Sequence, residues 1–363
     1  MQKRVFISPK KYIQGAGVLA QLGEEVEKIG KAPLILSDET VWGITGDAVE
    51  ESFKASNISY SYEEFGGEAS VTEIDRLTEV GKENNADVVI GLGGGKTIDT
   101  AKAVGDNLDI AVVAAPTTAS TDAPTSALSV IYSDEGVFEG YKFYNKNPDL
   151  VLIDSKVVVG APISLLASGM GDAMATLVEA KASQKRNSDT MAGGKATLTG
   201  TAIAEKAEEV LFTQGIAAYK AAKEGLVTPQ VEAIIETNTL LSGLGFENSG
   251  LAAAHAIHNG FTALEGDIHG LTHGQKVAYG VLTQLVLEGY SEMEILPYVE
   301  FFEAIDLPTT LEDLHLEDAS YEDLVEIGKL ATAEGETSHN MNPELTPEQI
   351  ADAILAVNAM TTA

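Results

Sequence analysis

Cysteine is absent from this chain of 363 residues, and basic residues are scarce. Without cysteine there are no disulfide bonds, no thiolate metal ligands and no cysteine nucleophile, so any metal must be held by nitrogen and oxygen atoms. The chain has 23 lysines and arginines against 55 aspartates and glutamates, a formal net charge of -32. A surface this negative repels the phosphates of nucleic acids and anionic lipid headgroups, so we expect neither as a partner.

Long apolar runs are also missing. No segment approaches the roughly 20 apolar residues of a transmembrane helix, and no apolar run follows the basic N-terminus. We therefore expect no membrane partner and no secretory signal, with the cytoplasm as the location. A length of 363 residues favours two domains, each with enough chain to bury a core.

The two halves of the chain differ in pattern. The first 160 residues alternate short β-branched runs with helical patterns, which is typical of a largely parallel α/β sheet. The expected strands cover residues 4–7, 33–37, 58–60, 87–91, 110–115 and 150–154. From residue 162 onward only helical patterns remain, at residues 171–184, 198–222, 228–244, 249–263, 273–288, 321–332 and 346–360. The predicted fold is an α/β domain at residues 1–160, with a largely parallel sheet, followed by an all-α domain at residues 161–363.

A glycine-rich turn joins an apolar strand to a helix at residues 88–104. Bare backbone N–H groups and a helix N-terminus at such a turn can hold a phosphate or pyrophosphate. The turn is not a Walker A loop, because Ile90 stands where the first glycine would be. It also departs from the G-x-G-x-x-G fingerprint, because Lys96 stands at the third glycine. A tight turn that binds nothing is the alternative.

Two further features favour a dinucleotide. Asp38 follows the apolar run at residues 34–37, where an acid can accept from a ribose hydroxyl and repel a 2′-phosphate, which predicts NAD rather than NADP. Taken alone, Asp38 is equally consistent with a helix cap or a turn. The loop at residues 115–126 carries several threonines and serines directly after another strand, and these can contact phosphate and ribose. Asp122 is an isolated acid in that loop, expected near the reactive end of the cofactor.

Histidines are concentrated in one stretch. Four of the six, His255, His258, His269 and His273, fall within residues 249–277. The first two are three residues apart in a helical pattern and so project from one helix face. Any one of them is best explained as a polar residue at a helix edge. The cluster, however, favours a metal or proton-transfer site, because neutral imidazole is the commonest metal ligand and titrates near neutral pH.

Two histidines need at least one more ligand to hold a metal, and a carboxylate is the only anionic type available. Asp172 follows two glycines at a predicted helix start, so it is the candidate, with simple N-capping as the alternative. With His255 and His273, Asp172 would leave a divalent ion with net positive charge and open positions. Such an ion can lower the pKa of an alcohol.

Taken together, these motifs resemble the iron-containing (group III) alcohol dehydrogenase superfamily over the whole chain, and within it the members that oxidise glycerol. The matching segments are residues 66–68 (GGE), 91–102 (GLGGGKTIDTAK), 116–124 (PTTASTDAP), 126–132 (SALSVIY), 169–172 (GMGD), 255–260 (HAIHNG) and 273–277 (HGQKV).

The resemblance implies an NAD-binding domain followed by a helical metal-binding, catalytic domain, with metal and nicotinamide meeting in the cleft between them. It implies one divalent metal, with zinc the first expectation and iron the second, held by Asp172, His255 and His273. Asp122 is implied to contact the polyol. The implied cofactor-binding residues are Asp38, Gly94, Gly95, Lys96, Thr117, Ser120, Ser126, Leu128 and Tyr132. A cytoplasmic homo-oligomer, often an octamer, is also implied.

The functional hypothesis is NAD- and metal-dependent oxidation of the secondary hydroxyl of glycerol to dihydroxyacetone, with hydride passing to nicotinamide C4 and the proton leaving through water or His258. Apart from Lys96 and Lys276, basic residues suited to a substrate phosphate are missing around the motifs, which favours an uncharged polyol. The alternatives are a dehydrogenase for another diol or for glycerol phosphate, a lyase like dehydroquinate synthase, and a metal- or nucleotide-binding regulatory protein. The family often has cysteine where this chain has Thr125, and the resemblance implies no role for His269.

Overall fold

The computed structural model describes residues 2–362. Its strands are β1 (Tyr12–Gly15), β2 (Pro33–Ser37), β3 (Ser61–Glu64), β4 (Val88–Gly93), β5 (Ala111–Pro116), β6 (Leu128–Tyr132), β7 (Phe138–Phe143) and β8 (Leu150–Asp154). Its helices are α1 (Leu22–Glu27), α2 (Glu39–Ala55), α3 (Val71–Glu83), α4 (Gly95–Leu108), α5 (Ser155–Gly160), α6 (Ile163–Lys185), α7 (Leu198–Lys223), α8 (Pro229–Glu236), α9 (Ser242–Ser249), α10 (Ala253–Gly260), α11 (His273–Leu287), α12 (Glu292–Ala304), α13 (Tyr321–Ala331) and α14 (Pro347–Thr361). A π-helical turn, Thr237–Leu241, joins α8 to α9. Among residues 2–362, none of the helices combines the length and the apolarity that crossing a membrane requires.

The chain folds into two compact units, each built from separate stretches of sequence. The sheet unit contains Ile7–Pro162 and Ala221–Gly243, and the helical unit contains Met1–Phe6, Ile163–Lys220 and Leu244–Ala363. The α/β and all-α classes expected for the two parts of the chain are confirmed. A single boundary at residue 160, however, assigns residues 1–6 and 221–243 differently from these units.

Specific contacts explain both exceptions. Arg4, in the first predicted strand, forms an isolated bridge with Lys195, and its guanidinium donates to the carbonyl of Ala196 at 2.6 Å. Residues 4–7 are therefore not a strand of the sheet, and that prediction is wrong. In the sheet unit, Gln14 on β1 donates from its side-chain amide to the carbonyl of Glu232 at 2.8 Å, which ties α8 to β1.

Six parallel strands form the main sheet, in the order β1-β8-β5-β4-β2-β3. Strands β2, β4 and β8 are buried along their whole length, as expected where helices cover both faces of a parallel sheet. The strands predicted at residues 33–37 and 150–154 have the observed bounds. The strand predicted at residues 58–60 forms instead at Ser61–Glu64, and the sequence did not reveal β1. It also did not reveal the separate antiparallel pair of β6 and β7.

The chain reverses its direction of progress across the sheet between β2 and β4. Strand β2 is followed by β3 on one side of it, whereas β4 is followed by β5 on the opposite side. Leu36 pairs with Gly91, so the carboxyl ends of β2 and β4 lie next to each other. In open α/β sheets, ligands bind in the crevice at such a switch point. Asp38 follows β2 and Gly94 follows β4, so both predicted cofactor residues lie at this edge.

Helices α6, α10 and α11 pack closely in the helical unit. A Cβ on Gly274 of α11 would lie only 1.7 Å from the carbonyl oxygen of Ser168 on α6, and one on Gly280 would lie 2.4 Å from that of Ala254 on α10. Only glycine lets the helices approach this closely. The sequence did not reveal α12, which contains Pro297. Most other helices lie near their predicted ranges.

Candidate functional site

Asp172, His255 and His273 converge in the helical unit. Asp172 Oδ1 lies 3.1 Å from His255 Nε2 and 3.2 Å from His273 Nε2. One potential ligand atom from each residue lies within 4.8 Å of the other two. Asp172 is buried inside α6, which begins at Ile163, so the alternative that it caps a helix start is wrong.

The donor set fits a divalent ion. Asp172 Oδ2 is buried and has no hydrogen-bond partner among residues 2–362. An unpartnered buried carboxylate oxygen is costly, and a cation at this point would remove that cost. Two imidazole nitrogens and a carboxylate form a typical three-residue catalytic site that leaves a coordination position open.

His273 is the first residue of α11, and local hydrogen bonds fix its position. Thr272 is the N-cap of α11 and forms a capping box with Gln275: the Thr272 hydroxyl accepts from the Gln275 backbone N–H, and the Gln275 side chain accepts from the Thr272 N–H at 2.8 Å. Gly274 donates its backbone N–H to the Ser168 hydroxyl at 3.1 Å. With the close packing at Gly274, these bonds hold His273 against the helix that carries Asp172.

The start of α10 is held by side chains from two other helices. Glu179 Oε1 accepts from the backbone N–H groups of Ala252 and His255, both at 3.0 Å. Gln284 Oε1 accepts from the N–H groups of Ala253 and Ala254, both at 2.9 Å. These bonds satisfy N–H groups that the helix itself leaves without partners. They also fix the position of His255, the third residue of α10.

Glu179 is a residue of this site that sequence reasoning missed. Its Oε2 lies 2.6 Å from His255 Nδ1, and the side chain is fully buried. The available signal was its spacing, because a residue seven positions after Asp172 lies on the same face of a helix. Burial alone would lower the pKa of His255, but Glu179 and Asp172 outweigh it and raise that pKa well above its usual range. Burial alone would raise the pKa of Asp172, but His273 and His255 outweigh it and lower that pKa.

His258 joins the cluster through His273. Its Nε2 lies 3.1 Å from His273 Nδ1, and its Nδ1 lies 3.1 Å from Asn259 Oδ1. Burial, followed by the charges of His273 and Lys276, lowers the pKa of His258 well below its usual range. His269 stands apart, exposed, with its Nε2 2.6 Å from the Leu264 carbonyl oxygen.

The glycine turn of the sheet unit leaves the start of α4 open. Gly94 is the N-cap and makes no side-chain capping bond, and no acidic residue lies in the first turn. A Cβ placed on Gly94 would meet nothing within 4 Å, so a ligand can approach the backbone there. Lys96 Nζ bonds to Glu68 Oε1 at 2.6 Å and lies 5.0 Å from the centre of the Tyr132 ring. The open helix start therefore suits a phosphate group. Lys96 and Tyr132 lie next to each other.

Asp38 lies half-buried at the end of β2. Its Oδ1 accepts from the backbone N–H of Val41 at 2.9 Å and so caps α2. Asp38 is thus a helix cap at the switch-point edge of the sheet. One oxygen in a capping bond leaves the carboxylate its negative charge, which is the property that would disfavour a 2′-phosphate.

The loop after β5 carries Thr117, Ser120 and Asp122, and the π-helical turn holds it on one side. Asn238 donates from its side-chain amide to the Ala119 carbonyl, and Thr125 donates from its hydroxyl to the Thr239 carbonyl, both at 2.9 Å. Ser242 donates to Asp122 Oδ2 at 3.3 Å. The sequence predicted one helix over residues 228–244 and gave no sign of the π turn, a feature that is frequent at functional sites.

A buried lysine holds the same loop on the other side. Lys102 on α4 pairs with Asp99 at 2.7 Å, donates to the Ala123 carbonyl at 2.9 Å and also donates to the Leu128 carbonyl. Ser126 lies 3.3 Å from Lys102 Nζ and, like Leu128, is buried. Their side chains are thus packed inside the unit. Lys102 therefore holds residues 123–128, the segment that contains both of these predicted cofactor residues.

The chain is similar to known oxidoreductases over almost its whole length. The family model described as iron-containing alcohol dehydrogenase matches residues 9–155. A glycerol dehydrogenase of Escherichia coli O6:H1 is 46% identical over 355 residues, covering 98% of this chain and 96% of that protein. A glycolaldehyde reductase of Halobacterium salinarum is 44% identical, covering 98% and 97%. The crystal structure of glycerol dehydrogenase from Schizosaccharomyces pombe superposes with a TM-score of 0.96 at 41% identity, covering 100% of this chain and 92% of that chain.

Proposed function

Because the chain belongs to the iron-containing alcohol dehydrogenase family, we propose that it oxidises the secondary hydroxyl of glycerol to dihydroxyacetone and reduces NAD to NADH. Two relatives named glycerol dehydrogenase, at 46% and 44% identity over almost the whole chain, support this substrate. The observation in the molecule that carries the proposal is the cluster of Asp172, His255 and His273, together with the buried, unpartnered Oδ2 of Asp172.

In this proposal the helical unit holds one divalent ion through Asp172, His255 and His273. Zinc is the metal we propose, with iron as the alternative. Imidazole ligands suit both metals, and the chain has no thiolate to select between them. When bound, the ion supplies a Lewis acid that lowers the pKa of a substrate hydroxyl. The protein's own contribution is to fix the two imidazole rings, through Glu179 for His255 and through His258 for His273.

The reaction removes a hydride and a proton from the secondary carbinol. The hydride goes to nicotinamide C4, and the hydroxyl proton goes to solvent. We propose that this proton passes to water or to His258. Its two nitrogens already have partners in His273 and Asn259, so a route through His258 requires one of these bonds to break, whereas a route through water does not.

We propose that the sheet unit binds NAD along its switch-point edge. Gly94, Gly95 and Lys96 would hold the pyrophosphate at the start of α4, and Asp38 would bind the adenosine ribose. Asp122 would orient a terminal hydroxyl of the polyol. The remaining proposed cofactor contacts are Thr117, Ser120, Ser126, Leu128 and Tyr132. Assembly as a homo-oligomer, with an octamer as the expectation, and a cytoplasmic location stay predictions.

The test is NADH formation by the purified, zinc-loaded protein with glycerol, followed by NADH absorbance. We expect continuous NADH accumulation and its loss on chelation, with dihydroxyacetone reduced in the reverse direction. Glycolaldehyde with NADH should be included, because a relative at 44% identity is named for its reduction. A lyase that uses NAD only transiently would give no net NADH. Absence of net NADH formation with glycerol at saturating NAD would overturn the proposal.

A further inference from the structure

The outer nitrogens of the two proposed metal-binding histidines are held in different ways. His255 Nδ1 bonds directly to the buried carboxylate of Glu179. His273 Nδ1 bonds instead to another imidazole, His258 Nε2, at 3.1 Å. A neutral imidazole carries no negative charge, so any carboxylate that anchors His273 lies beyond His258 in the series of hydrogen bonds.

That chain continues from His258 to a second carboxylate. His258 Nδ1 lies 3.1 Å from Asn259 Oδ1, and Asn259 Nδ2 lies 3.3 and 3.2 Å from the two carboxylate oxygens of Glu336. Two residues, His258 and Asn259, thus connect His273 to Glu336.

The directions of these hydrogen bonds are mutually consistent. The Nε2 atom of His273 faces Asp172, so a ring that binds metal through Nε2 carries its proton on Nδ1 and donates it to His258 Nε2. His258 then carries its own proton on Nδ1 and donates to the oxygen of Asn259. The Asn259 amide group in turn donates to Glu336. Each member has one donor and one acceptor in the required place, with the carboxylate as the final acceptor.

The segment that carries Glu336 is hydrogen-bonded to the residues just before α10, the helix that carries His258. Thr337 donates from its hydroxyl to the Ala252 carbonyl at 2.7 Å, and Asn340 donates from its side-chain amide to the Leu251 carbonyl at 3.1 Å. Both acceptors immediately precede α10, which carries His258. Glu336 is itself half-buried. The carboxylate is therefore part of a fixed arrangement around α10.

We propose that Asn259 and Glu336 are positioning residues that hold the His258 ring and, through it, orient His273 as a metal ligand. The inference rests on the proposed metal site. Asn259 contacts the His258 ring and Glu336 contacts Asn259, so both act on the site through His258. Loss of either residue lets the His258 ring rotate and leaves His273 without a fixed partner.

The test is the affinity of the full chain for Co²⁺, measured by the visible absorption of bound cobalt in competition with a chelator. Glu336→Ala and Asn259→Ala should each weaken binding about tenfold, the lower end of the effect of outer-shell partners, and should shift the cobalt absorption bands. The double variant should bind no more weakly than either single variant, because both changes interrupt the same series of hydrogen bonds. Glu336→Gln should recover part of the affinity, since its amide oxygen still accepts from Asn259.

Glu334→Ala is the matched control, because Glu334 is exposed on the same segment. An affinity of Glu336→Ala equal to that of Glu334→Ala would overturn the inference while leaving the metal site intact. Additive losses in the double variant would overturn it as well. If Glu336→Ala fails to fold, Glu336→Gln and Asn259→Ala decide by the same comparison. A wild-type chain that binds no Co²⁺ would overturn the proposed metal site, and this inference with it.

Discussion

Glu179 Oε2 lies 2.6 Å from His255 Nδ1, while Oε1 of the same carboxylate accepts from the backbone N–H groups of Ala252 and His255. One buried side chain thus fixes both the ring and the backbone of a proposed metal ligand. A carboxylate can do this because all of its lone pairs accept hydrogen bonds, whereas an amide must turn an NH₂ group toward one of these donors.

Glu179→Gln is therefore expected to weaken metal binding by roughly ten- to hundredfold. The amide cannot accept from His255 Nδ1 and from the two backbone N–H groups at once. Competition with a chelator measures the effect, and Glu205→Gln, at an exposed position on α7, is the control. Equal affinities for these two variants would show that Glu179 does not position His255.

Asp38→Ser is expected to reduce the preference for NAD over NADP. Serine can keep the cap of α2 but removes the negative charge that disfavours a 2′-phosphate. Asp38→Gly should relax the preference in the same way, with a small loss of stability from the weaker cap. The measurement is the ratio of kcat/KM for the two cofactors. A ratio unchanged from wild type in both variants would exclude Asp38 from cofactor selection.

Lys102→Met should lower the free energy of unfolding by about 3–5 kcal/mol, the usual cost of leaving one partner of a buried ion pair unpaired. Lys102 and Asp99 are both buried and pair at 2.7 Å. Adding Asp99→Asn should recover part of the loss, because the uncompensated charge is gone. Denaturant unfolding of the single and double variants measures this, and a double variant less stable than Lys102→Met would contradict it.

Glu288→Gln should stabilise the metal-free protein at alkaline pH and have a smaller effect at acidic pH. Burial raises the pKa of the Glu288 carboxyl in the folded protein. The stabilisation that comes from the protonated Glu288 carboxyl is fully present below about pH 4.3, the pKa of glutamate in the unfolded chain. It is lost as the pH rises through the raised pKa of Glu288 in the folded protein. Glutamine removes this loss and can still accept from Gln284.

Thermal unfolding of Glu288→Gln and wild type at about pH 5.5 and about pH 8 checks this prediction. The gain in Tm should be larger at the higher pH. A gain that is the same at both values would mean that ionisation of Glu288 does not affect stability.

Local patterns were enough for the parts of the fold that depend on local chemistry. Short apolar runs predicted β2 and β8, and the glycine turn was found because a strand, a turn and a helix follow one another directly. The capping pair of Thr346 and Gln349 marks the start of a helix within the range predicted for α14. The family resemblance selected Asp172, His255 and His273, and these three residues do lie together.

Long-range contacts determine what the sequence did not reveal. Ala252 is a poor N-cap, and nothing near it in sequence indicates that Glu179 and Gln284 satisfy the start of α10. Residues 4–7 include β-branched Val5 and Ile7, but Arg4 bridges to Lys195 and the segment does not join the sheet. Glu336 lies 77 positions from Asn259, its partner. Such pairs become visible only when the helices are packed.

The proposed metal site is tested by the metal content of the purified wild type and of Asp172→Asn after equal exposure to zinc, with NADH formation from glycerol measured on the same samples. We expect one bound ion per wild-type chain with turnover, and loss of both in Asp172→Asn. His273→Ala should behave in the same way. An Asp172→Asn protein that retains the full wild-type metal content would contradict the assignment of Asp172, His255 and His273 as the site that holds the ion.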